Sequence, residues 1–344
     1  MAMKTMIEEG EPPTTSQQTA ASRASNPVVK PADREQALQI KTILVPLDFS
    51  RASMQVLKYT IPLAEKFKAA IHLVHVQPAD ELTAISRAGH WMLNCADAIA
   101  LMQDRLAEVQ RKHDVRFWPD NCHVVSGRPF EEICKLAREI EADLIVLPTR
   151  GHSGLKHIVL GSTAERVVRY APCPVLVPRG KKYKGAILNG ASAGKFSLRK
   201  ILVPVDFSEC SLAGVNYAAR LAKRFGAKVC LFHAIYPHHD LIMADRMSGR
   251  ILSVIEQVQI TARAQMSELK QLKSLRGLAC ETEIQVGYPV DQICAHTGWP
   301  EIDLVVTATH GRTGFKHALL GSVAEHVVRY AECPVIIVPS RGGT

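Results

Sequence analysis

Between an apolar run and an amphipathic segment, the chain carries the stretch Ala308-Thr-His-Gly311-Arg-Thr-Gly314-Phe-Lys-His-Ala-Leu-Leu-Gly321-Ser322-Val-Ala-Glu325. The apolar run before it, Asp303-Leu-Val-Val-Thr307, is typical of a buried strand, and the segment from Ser322 onward has apolar residues at helical spacing. A near-copy of the whole stretch runs from Pro148 to Glu165, 160 positions earlier. The sequence therefore predicts a strand, a glycine-rich loop and a helix, and it predicts them twice.

On either side of this stretch, the remaining elements also occur in two matching sets. Each set opens with an apolar strand that ends in Asp and Ser, Lys41-Thr-Ile-Leu-Val-Pro-Leu-Asp48-Phe-Ser50 or Lys200-Ile-Leu-Val-Pro-Val-Asp206-Phe-Ser208. Helical segments and apolar runs then alternate up to the last strands, Val175 to Val177 and Val335 to Val338. Such alternation implies right-handed crossovers and a mostly parallel sheet covered on both faces. The predicted fold class is α/β, with two doubly wound parallel-sheet domains.

The length of 344 residues fits two domains better than one. We place the domains at residues 41–180 and 199–344, joined by a linker at 181–198 that is rich in Gly, Lys, Ala and Ser. Residues 1–40 have many Glu, Pro, Thr, Ser and Gln residues and no apolar periodicity, which predicts a disordered tail. Pro62 falls inside the first predicted helix, where it is expected to kink the helix or remove a backbone hydrogen bond.

The charge of the chain indicates which ligands it favours, and its cysteine content indicates the compartment in which it is expected. The formal net charge is +9, but Lys and Arg are scattered among Asp and Glu, which favours small anions over nucleic acid. No segment has the pattern of a signal peptide or a membrane span. The nine cysteines are odd in number and include no C-x-x-C pair, so we expect reduced thiols in the cytoplasm. Cys134 matches Cys294 and Cys173 matches Cys333, as expected of small buried apolar residues.

The glycine-rich loop has the composition of a phosphate-binding site. Its glycines can adopt positive φ and let backbone N–H groups approach an anion, and Ser322 opens a helix whose dipole favours negative charge. Asp206 ends a strand at the same edge of a doubly wound sheet, where such sheets bind ligands. A structural explanation is also open, because each strand-end Asp could cap a helix. The pairs Ser322 with Glu325 and Ser162 with Glu165 also have the spacing of a capping box.

Three segments of the second half resemble a known family. They are Val203-Pro-Val-Asp-Phe-Ser208, then His310-Gly-Arg-Thr-Gly314 with Gly321-Ser-Val-Ala-Glu-His-Val-Val-Arg329, and finally Cys333-Pro-Val-Ile-Ile-Val-Pro339. Together they resemble the universal stress proteins, and the resemblance covers nearly all of residues 41–180 and 199–340. It implies, in each domain, a five-stranded parallel sheet with strand order 3-2-1-4-5, similar to the adenine-nucleotide hydrolases.

The resemblance also implies a phosphate loop with a defined pattern. In family members that bind ATP, the pattern is G-x-x-G, nine residues, then G-[ST]. Nine residues separate Gly311 from Gly321, and the first half keeps the same spacing after Gly151. The first glycine is replaced in both halves, by Ala308 in the second and by Pro148 in the first. Because proline also lacks a backbone donor, the second half is expected to be the better site.

The ligand implied by the resemblance is ATP, with or without Mg²⁺. In the second half, where Asp206 is expected near the ribose and Ala234 near the adenine, the implied nucleotide-binding residues are Pro204, Val205, Asp206, Ala234, Ala308, Gly311, Arg312, Gly314, Gly321, Ser322 and Val323. In the first half, the implied residues of a weaker site are Pro46, Leu47, Asp48, Val76, Gly151, Gly154, Gly161, Ser162 and Thr163. We assign no catalytic residue and no metal ligand, since His238-His-Asp240 is more typical of a solvated loop.

The expected function is that of a nucleotide-binding regulatory module in a stress response, with an unidentified protein partner and neither nucleic acid nor a membrane. One alternative is a family member that binds no nucleotide and serves in signalling or as a scaffold. A second is a slow ATPase, although no Walker lysine motif is present. Because family dimers associate through their last strands, Val175 to Val177 is expected to meet Val335 to Val338 in an intramolecular pseudo-dimer. A homodimer of whole chains is left open.

Overall fold

The computed structural model describes residues 38–77, 100, 104, 121–148, 160–179, 197–236, 251–311 and 320–339. The first half contains, in chain order, β1 (Thr42–Pro46), α1 (Arg51–Phe67), β2 (Ala70–Gln77), β3 (Cys122–Ser126), α2 (Pro129–Glu139), β4 (Leu144–Val146), α3 (Ser162–Tyr170) and β5 (Val175–Val177). The second half contains β6 (Lys200–Pro204), α4 (Glu209–Phe225), β7 (Lys228–Ile235), α5 (Ile251–Lys270), β8 (Cys280–Val286), α6 (Pro289–Thr297), β9 (Leu304–Ala308), α7 (Ser322–Tyr330) and β10 (Val335–Val338). The predicted α/β class is confirmed.

The strands of both halves form one continuous sheet in the order β3-β2-β1-β4-β5-β10-β9-β6-β7-β8. Neighbouring strands within each half are parallel. At the centre, β5 and β10 pair antiparallel, with Val335 opposite Val177 and Ile337 opposite Val175. The last strands of the two halves therefore meet, as the sequence predicts. The two third strands, β3 and β8, form the outer edges of the sheet.

Buried apolar side chains line both faces of the sheet, because alternate residues of a strand point to opposite faces. In β1, Ile43 and Val45 pack into a cluster with α1, α4 and α5, whereas Leu44 packs into a cluster with α2, α3, α6 and α7. Each cluster contains side chains from both halves. The halves thus share a core on both faces. No helix in the part of the chain that the structure describes is long and apolar enough to cross a membrane.

Ordered structure extends beyond the predicted domain limits. Leu38 and Ile40 are buried, and the N–H of Leu38 donates to the carbonyl of Arg220 in the second half at 3.1 Å. Leu198 is buried as well. The assignment of residues 38–40 to a disordered tail, and of Leu198 to a surface linker, is therefore wrong. These apolar residues are buried by packing between distant parts of the chain, which local composition does not reveal. Residues 1–37 and 180–196 lie outside the described residues.

The ends of α1 and α4 meet where the two halves join. The rings of Phe67 and Phe225 contact each other edge to face, with 5.8 Å between their centroids. The guanidinium of Arg224 lies 5.4 Å from the Phe67 ring and donates to the carbonyl of Lys66 at 2.5 Å. Helix α1 continues through Pro62 to reach this contact. Aromatic and charged side chains therefore reinforce the strand pairing at the centre.

A second group of boundary contacts differs between the halves. Arg179, which follows β5, donates from Nη2 to the carbonyls of Val327, at 3.3 Å, and Val328, near the end of α7. Desolvation by burial lowers the pKa of Arg179 to about 10. The hydroxyl of Tyr59 donates to the carbonyl of Arg179. The hydroxyl of its counterpart Tyr217 is buried and has no hydrogen-bond partner among the residues that the structure describes. Within those residues, the two tyrosines therefore differ in their contacts.

The repeated cysteines are mostly buried, as predicted. Cys134, Cys173 and Cys333 lie in the core, while Cys294 is half-buried. Burial raises the pKa of Cys173 and of Cys333 to about 12, and that of Cys134 and Cys294 to about 11. The cysteines of the described residues are free thiols. Because reactivity requires the thiolate, these four side chains serve as apolar filling.

Candidate functional site

The candidate site lies at the carboxyl edge of the second half, where β6 and its two neighbours, β7 and β9, come together. Strand β6 ends at Pro204, and the buried Val205 follows, its N–H donating to the carbonyl of Phe232 at 2.8 Å. Ala234 is half-buried in β7, and the buried Ala308 ends β9. The parallel register brings these predicted residues to one edge, as expected for a ligand site in such a sheet.

Asp206 lies in a tight turn between β6 and α4. Its Oδ1 accepts from the N–H of Ser208 at 3.1 Å and from the Ser208 hydroxyl at 2.6 Å. The Oγ of Ser208 accepts in turn from the N–H of Ser211 at 3.2 Å, as the N-cap of α4. The alternative that Asp206 is itself the helix cap is therefore wrong, because Asp206 positions the capping Ser208. Between them, Phe207 has a φ of 64°, a left-handed conformation that non-glycine residues rarely adopt.

Two aromatic side chains that support this turn are not predicted from the sequence. The ring of Phe207 packs on that of His233, with 4.5 Å between centroids. The Nδ1 of His233 lies 2.7 Å from the carbonyl oxygen of Val205, and since a carbonyl can only accept, Nδ1 is the donor. The first half repeats the ring contact with Phe49 and His75, at 4.8 Å. The signal was available, because a His occurs at the same place in both second strands.

Gly311 marks the contact between the loop after β9 and the carboxylate of Asp206. A Cβ on Gly311 would lie 2.4 Å from Asp206 Oδ2, far inside van der Waals contact. The φ of Gly311 is not left-handed, and that of Gly321 is −59°. Neither residue therefore uses the positive φ that glycine can adopt. A side chain at position 311 would therefore require the Asp206 carboxylate to move. Arg312 and Gly314 lie outside the described residues.

The loop closes on itself at Gly321. The N–H of Gly321 donates to the carbonyl of Thr309 at 2.7 Å, and a Cβ there would lie 3.2 Å from the same oxygen. Thr309 is buried, and its N–H donates to the carbonyl of Val338 at 3.1 Å, which anchors the loop to β10. Its hydroxyl lies 2.9 Å from Nδ1 of His310. Thr309 is a further site residue that sequence reasoning missed, since its contacts with Gly321 and Val338 are made by the backbone.

Helix α7 begins at Ser322 without a side-chain cap. Gly321 occupies the N-cap position, and as a glycine it has no side chain with which to cap the helix. Glu325 pairs with Arg329 at 2.8 Å instead of reaching back toward the helix start. The capping box predicted for this helix is therefore wrong. The N–H groups of the first turn, from Ser322 and Val323 onward, can therefore donate to an anion or to water.

The first half repeats those parts of the site that the structure describes. The Asp48 Oδ1 accepts from the N–H of Ser50 at 2.9 Å, and Phe49 has a φ of 59°. The capping box is wrong here too, because Gly161 is the N-cap of α3 and makes no side-chain cap. Five other predicted residues lie at or near the carboxyl ends of strands or in the first turn of α3, namely Pro46, Leu47, Val76, Ser162 and Thr163. The remaining two, Gly151 and Gly154, lie outside the described residues.

Both halves of the chain are similar to known proteins. The model of the Universal stress protein family matches residues 39–179 and 197–339. Universal stress protein MJ0531 of Methanocaldococcus jannaschii is 34% identical over 144 residues, which are 41% of this chain and 84% of that protein. Sll1388 of Synechocystis is 30% identical over 148 residues, 40% of this chain and 96% of that protein. The crystal structure of an Archaeoglobus fulgidus universal stress protein gives a TM-score of 0.58 at 22% identity, covering 88% of this chain and 98% of that one. The chain therefore belongs to the universal stress protein family and carries its domain twice.

Proposed function

We propose that the chain binds ATP at the carboxyl edge of its second half and that the bound nucleotide controls contact with a protein partner in a stress response. The observation that carries the proposal is the contact between Gly311 and Asp206, where a Cβ would lie 2.4 Å from the carboxylate. A strand-end carboxylate beside bare backbone gives a nucleotide access to both a hydrogen-bond acceptor and main-chain donors. The uncapped start of α7 supplies further donors at the same loop.

Each part of the edge suits a different part of ATP. The first-turn N–H groups of α7, together with the helix dipole, would hold phosphate oxygens. Asp206 would accept from a ribose hydroxyl, with Ser208 fixing its orientation through Oδ1. Ala234, beside the carboxylate in the sheet, would face the adenine. Any Mg²⁺ would be held largely by the phosphates, since Mg²⁺ keeps several waters and needs few protein carboxylates.

We expect the two halves to differ in their affinity for ATP. In the first half the loop begins at Pro148, which has no N–H to give to a phosphate, so we assign it at most a weaker site. Apart from the ordered residues 38–40 and 198 that precede them, the domain limits of 41–180 and 199–344 remain predictions of the sequence. A cytoplasmic setting also remains a prediction. A nucleotide-free scaffold is the competing function.

The test is the number of ATP molecules bound per whole chain, from native mass spectrometry, with affinity from titration calorimetry. We expect one ATP per chain. Gly311→Val forces a side chain against the Asp206 carboxylate and is expected to weaken ATP binding about a hundredfold, the affinity equivalent of severe overpacking. The matched variant Gly151→Val in the first half is expected to leave affinity within about twofold of the parent.

The outcomes separate the candidate functions. If the unmodified chain binds no ATP, the proposal is refuted and the scaffold function remains. Equal loss in Gly311→Val and Gly151→Val, with both variants folded by circular dichroism, would contradict the preference for the second half. Phosphate release above background that stops with Asp206→Ala would instead support a slow ATPase.

A further inference from the structure

Two tyrosines continue the carboxyl edge of the second half beyond the candidate nucleotide site. Tyr236 follows β7 and Tyr288 follows β8, and their hydroxyls are 2.9 Å apart. The two rings are 4.5 Å apart between centroids and tilted by 60°. Tyr288 is 61% exposed. A ring this exposed contributes little to folding, because hydrophobic stabilisation scales with the apolar area removed from water.

The first half shows that the fold does not require an aromatic residue here. Gly127 and Gly287 make equivalent turns after β3 and β8, with φ of 154° and 151°. The next residues also match in backbone, since Arg128 has φ −80° and ψ 120° and Tyr288 has φ −62° and ψ 123°. Arg128 is exposed and pairs with Glu131 at 3.2 Å. The same backbone thus accepts a charged side chain in one half and an aromatic one in the other.

The strand order places the tyrosines at one end of the candidate nucleotide site. Across the sheet, the loop of Gly311 follows β9, Asp206 follows β6, Ala234 lies in β7 and Tyr288 follows β8. Neighbouring strands are about 4.8 Å apart. A nucleotide with phosphates over β9, ribose over β6 and base over β7 therefore has its base one strand away from Tyr288. The hydrogen bond to Tyr288 raises the pKa of Tyr236 above its ordinary value.

We propose that Tyr236 and Tyr288 form a stacking subsite for the base of the nucleotide, one that the first half lacks. The inference rests on the proposed function, because it assumes that the edge holds a nucleotide in the orientation given above. Aromatic side chains stack on the faces of bases with little dependence on base identity. The tyrosine pair then makes the second half selective for ligands that carry a base over bare polyphosphates.

The test compares ATP with inorganic tripolyphosphate, which has no base, by titration calorimetry on the whole chain. Tyr288→Ala is expected to weaken ATP binding roughly tenfold, the usual loss for one stacking contact, and to leave tripolyphosphate affinity unchanged. Tyr288→Phe keeps the ring and is expected to hold ATP affinity within about twofold. Arg128→Ala, at the equivalent position of the first half, is expected to change neither affinity.

Each remaining outcome overturns the subsite. If the unmodified chain binds ATP and Tyr288→Ala binds it equally well, the subsite is refuted and the proposed function stands. If Tyr288→Ala loses ATP and tripolyphosphate to the same degree, the tyrosine acts on the whole site and not on the base. If the unmodified chain binds no ATP, both the subsite and the proposed function fall. Because the side chain of Tyr288 is largely exposed, Tyr288→Ala is expected to fold. Thermal unfolding of the variant checks this.

Discussion

The two halves of the chain share a backbone framework at the site but differ in the side chains around it. Both place an Asp, a left-handed Phe and a capping Ser after the first strand, and both begin the last helix at an uncapped glycine. At the ends of the second and third strands, the second half has Tyr236 and Tyr288 where the sequence of the first half has Pro78 and Arg128. Folding therefore accounts for the common framework, whereas the outer side chains are where ligand preference can diverge.

The same contrast holds at the boundary between the halves. Arg179 and Tyr59 of the first half make a chain of hydrogen bonds that ends on the carbonyls of α7. In the second half, the buried hydroxyl of Tyr217 makes no such bond to any residue in the described ranges. An asymmetric boundary predicts that equivalent substitutions in the two halves have unequal effects.

The largest expected effect comes from Arg179. Arg179→Met keeps an apolar stem but removes the donor to Val327 and Val328, whose carbonyls lie at the end of a helix that a cation stabilises. We expect a loss of about 2 kcal/mol in the free energy of unfolding, from the usual worth of charged hydrogen bonds. Urea unfolding measures it. The control Arg128→Met, at an exposed ion pair, should cost less than about 0.5 kcal/mol. Equal midpoints for the two variants would show that Arg179 does not support α7.

An intermediate effect is expected from the two boundary tyrosines. Tyr59→Phe leaves the carbonyl of Arg179 without its donor and should cost about 1 kcal/mol of stability. Tyr217→Phe removes a buried hydroxyl that has no partner within the described part of the chain, and should be neutral or stabilising by up to about 1 kcal/mol. Thermal unfolding of both variants under one set of conditions measures the change in stability of each. Equal losses would mean that Tyr217 is hydrogen-bonded in solution.

The smallest expected effect is a pH dependence confined to the first half. His72 and His123 face each other across β2 and β3, with 3.1 Å between ring nitrogens, where the second half has Cys230 and Glu283. Burial lowers the pKa of both histidines, His123 lowers that of His72 further, and Glu139 partly opposes the shift of His123. A lowered folded pKa means that the unfolded chain binds more protons, so this stability is complete above pH 6.5 and declines as the pH falls.

His72→Leu should therefore flatten the decline of unfolding midpoint below pH 6.5. We expect a change under about 1 kcal/mol, because solvent screens rings that are only half-buried. Urea unfolding at a series of pH values measures the slope. A variant with the parent's slope would show that other groups set the acid sensitivity.

Strand positions were predictable from the sequence because buried parallel strands leave continuous apolar runs. The bounds of β5 and β10 are those expected, and so is the start of α7 at Ser322. The chemistry of that helix start was not predictable. Ser322 and Glu325 satisfy the spacing of a capping box, yet the carbonyl of Thr309 draws Gly321 into the cap position from across the loop. Local pattern fixes where an element lies but not which distant group satisfies its end.

Contacts between distant residues account for the other differences. The spacing of the loop glycines identified Gly311, but only the position of Asp206 shows that space, and not backbone conformation, is what Gly311 provides. The burial of Leu38 depends on Arg220 of the other half. The pairing of Tyr236 with Tyr288 spans 52 residues. None of these leaves a periodic signal in the sequence.

Because β5 and β10 belong to one chain, their antiparallel pairing does not depend on the concentration of the protein. The two halves meet at a fixed effective concentration, so their association does not weaken on dilution. Their ratio is always one to one, because each chain contributes one of each. A cell that makes more of this protein therefore makes more of the same pair, one first half with one second half.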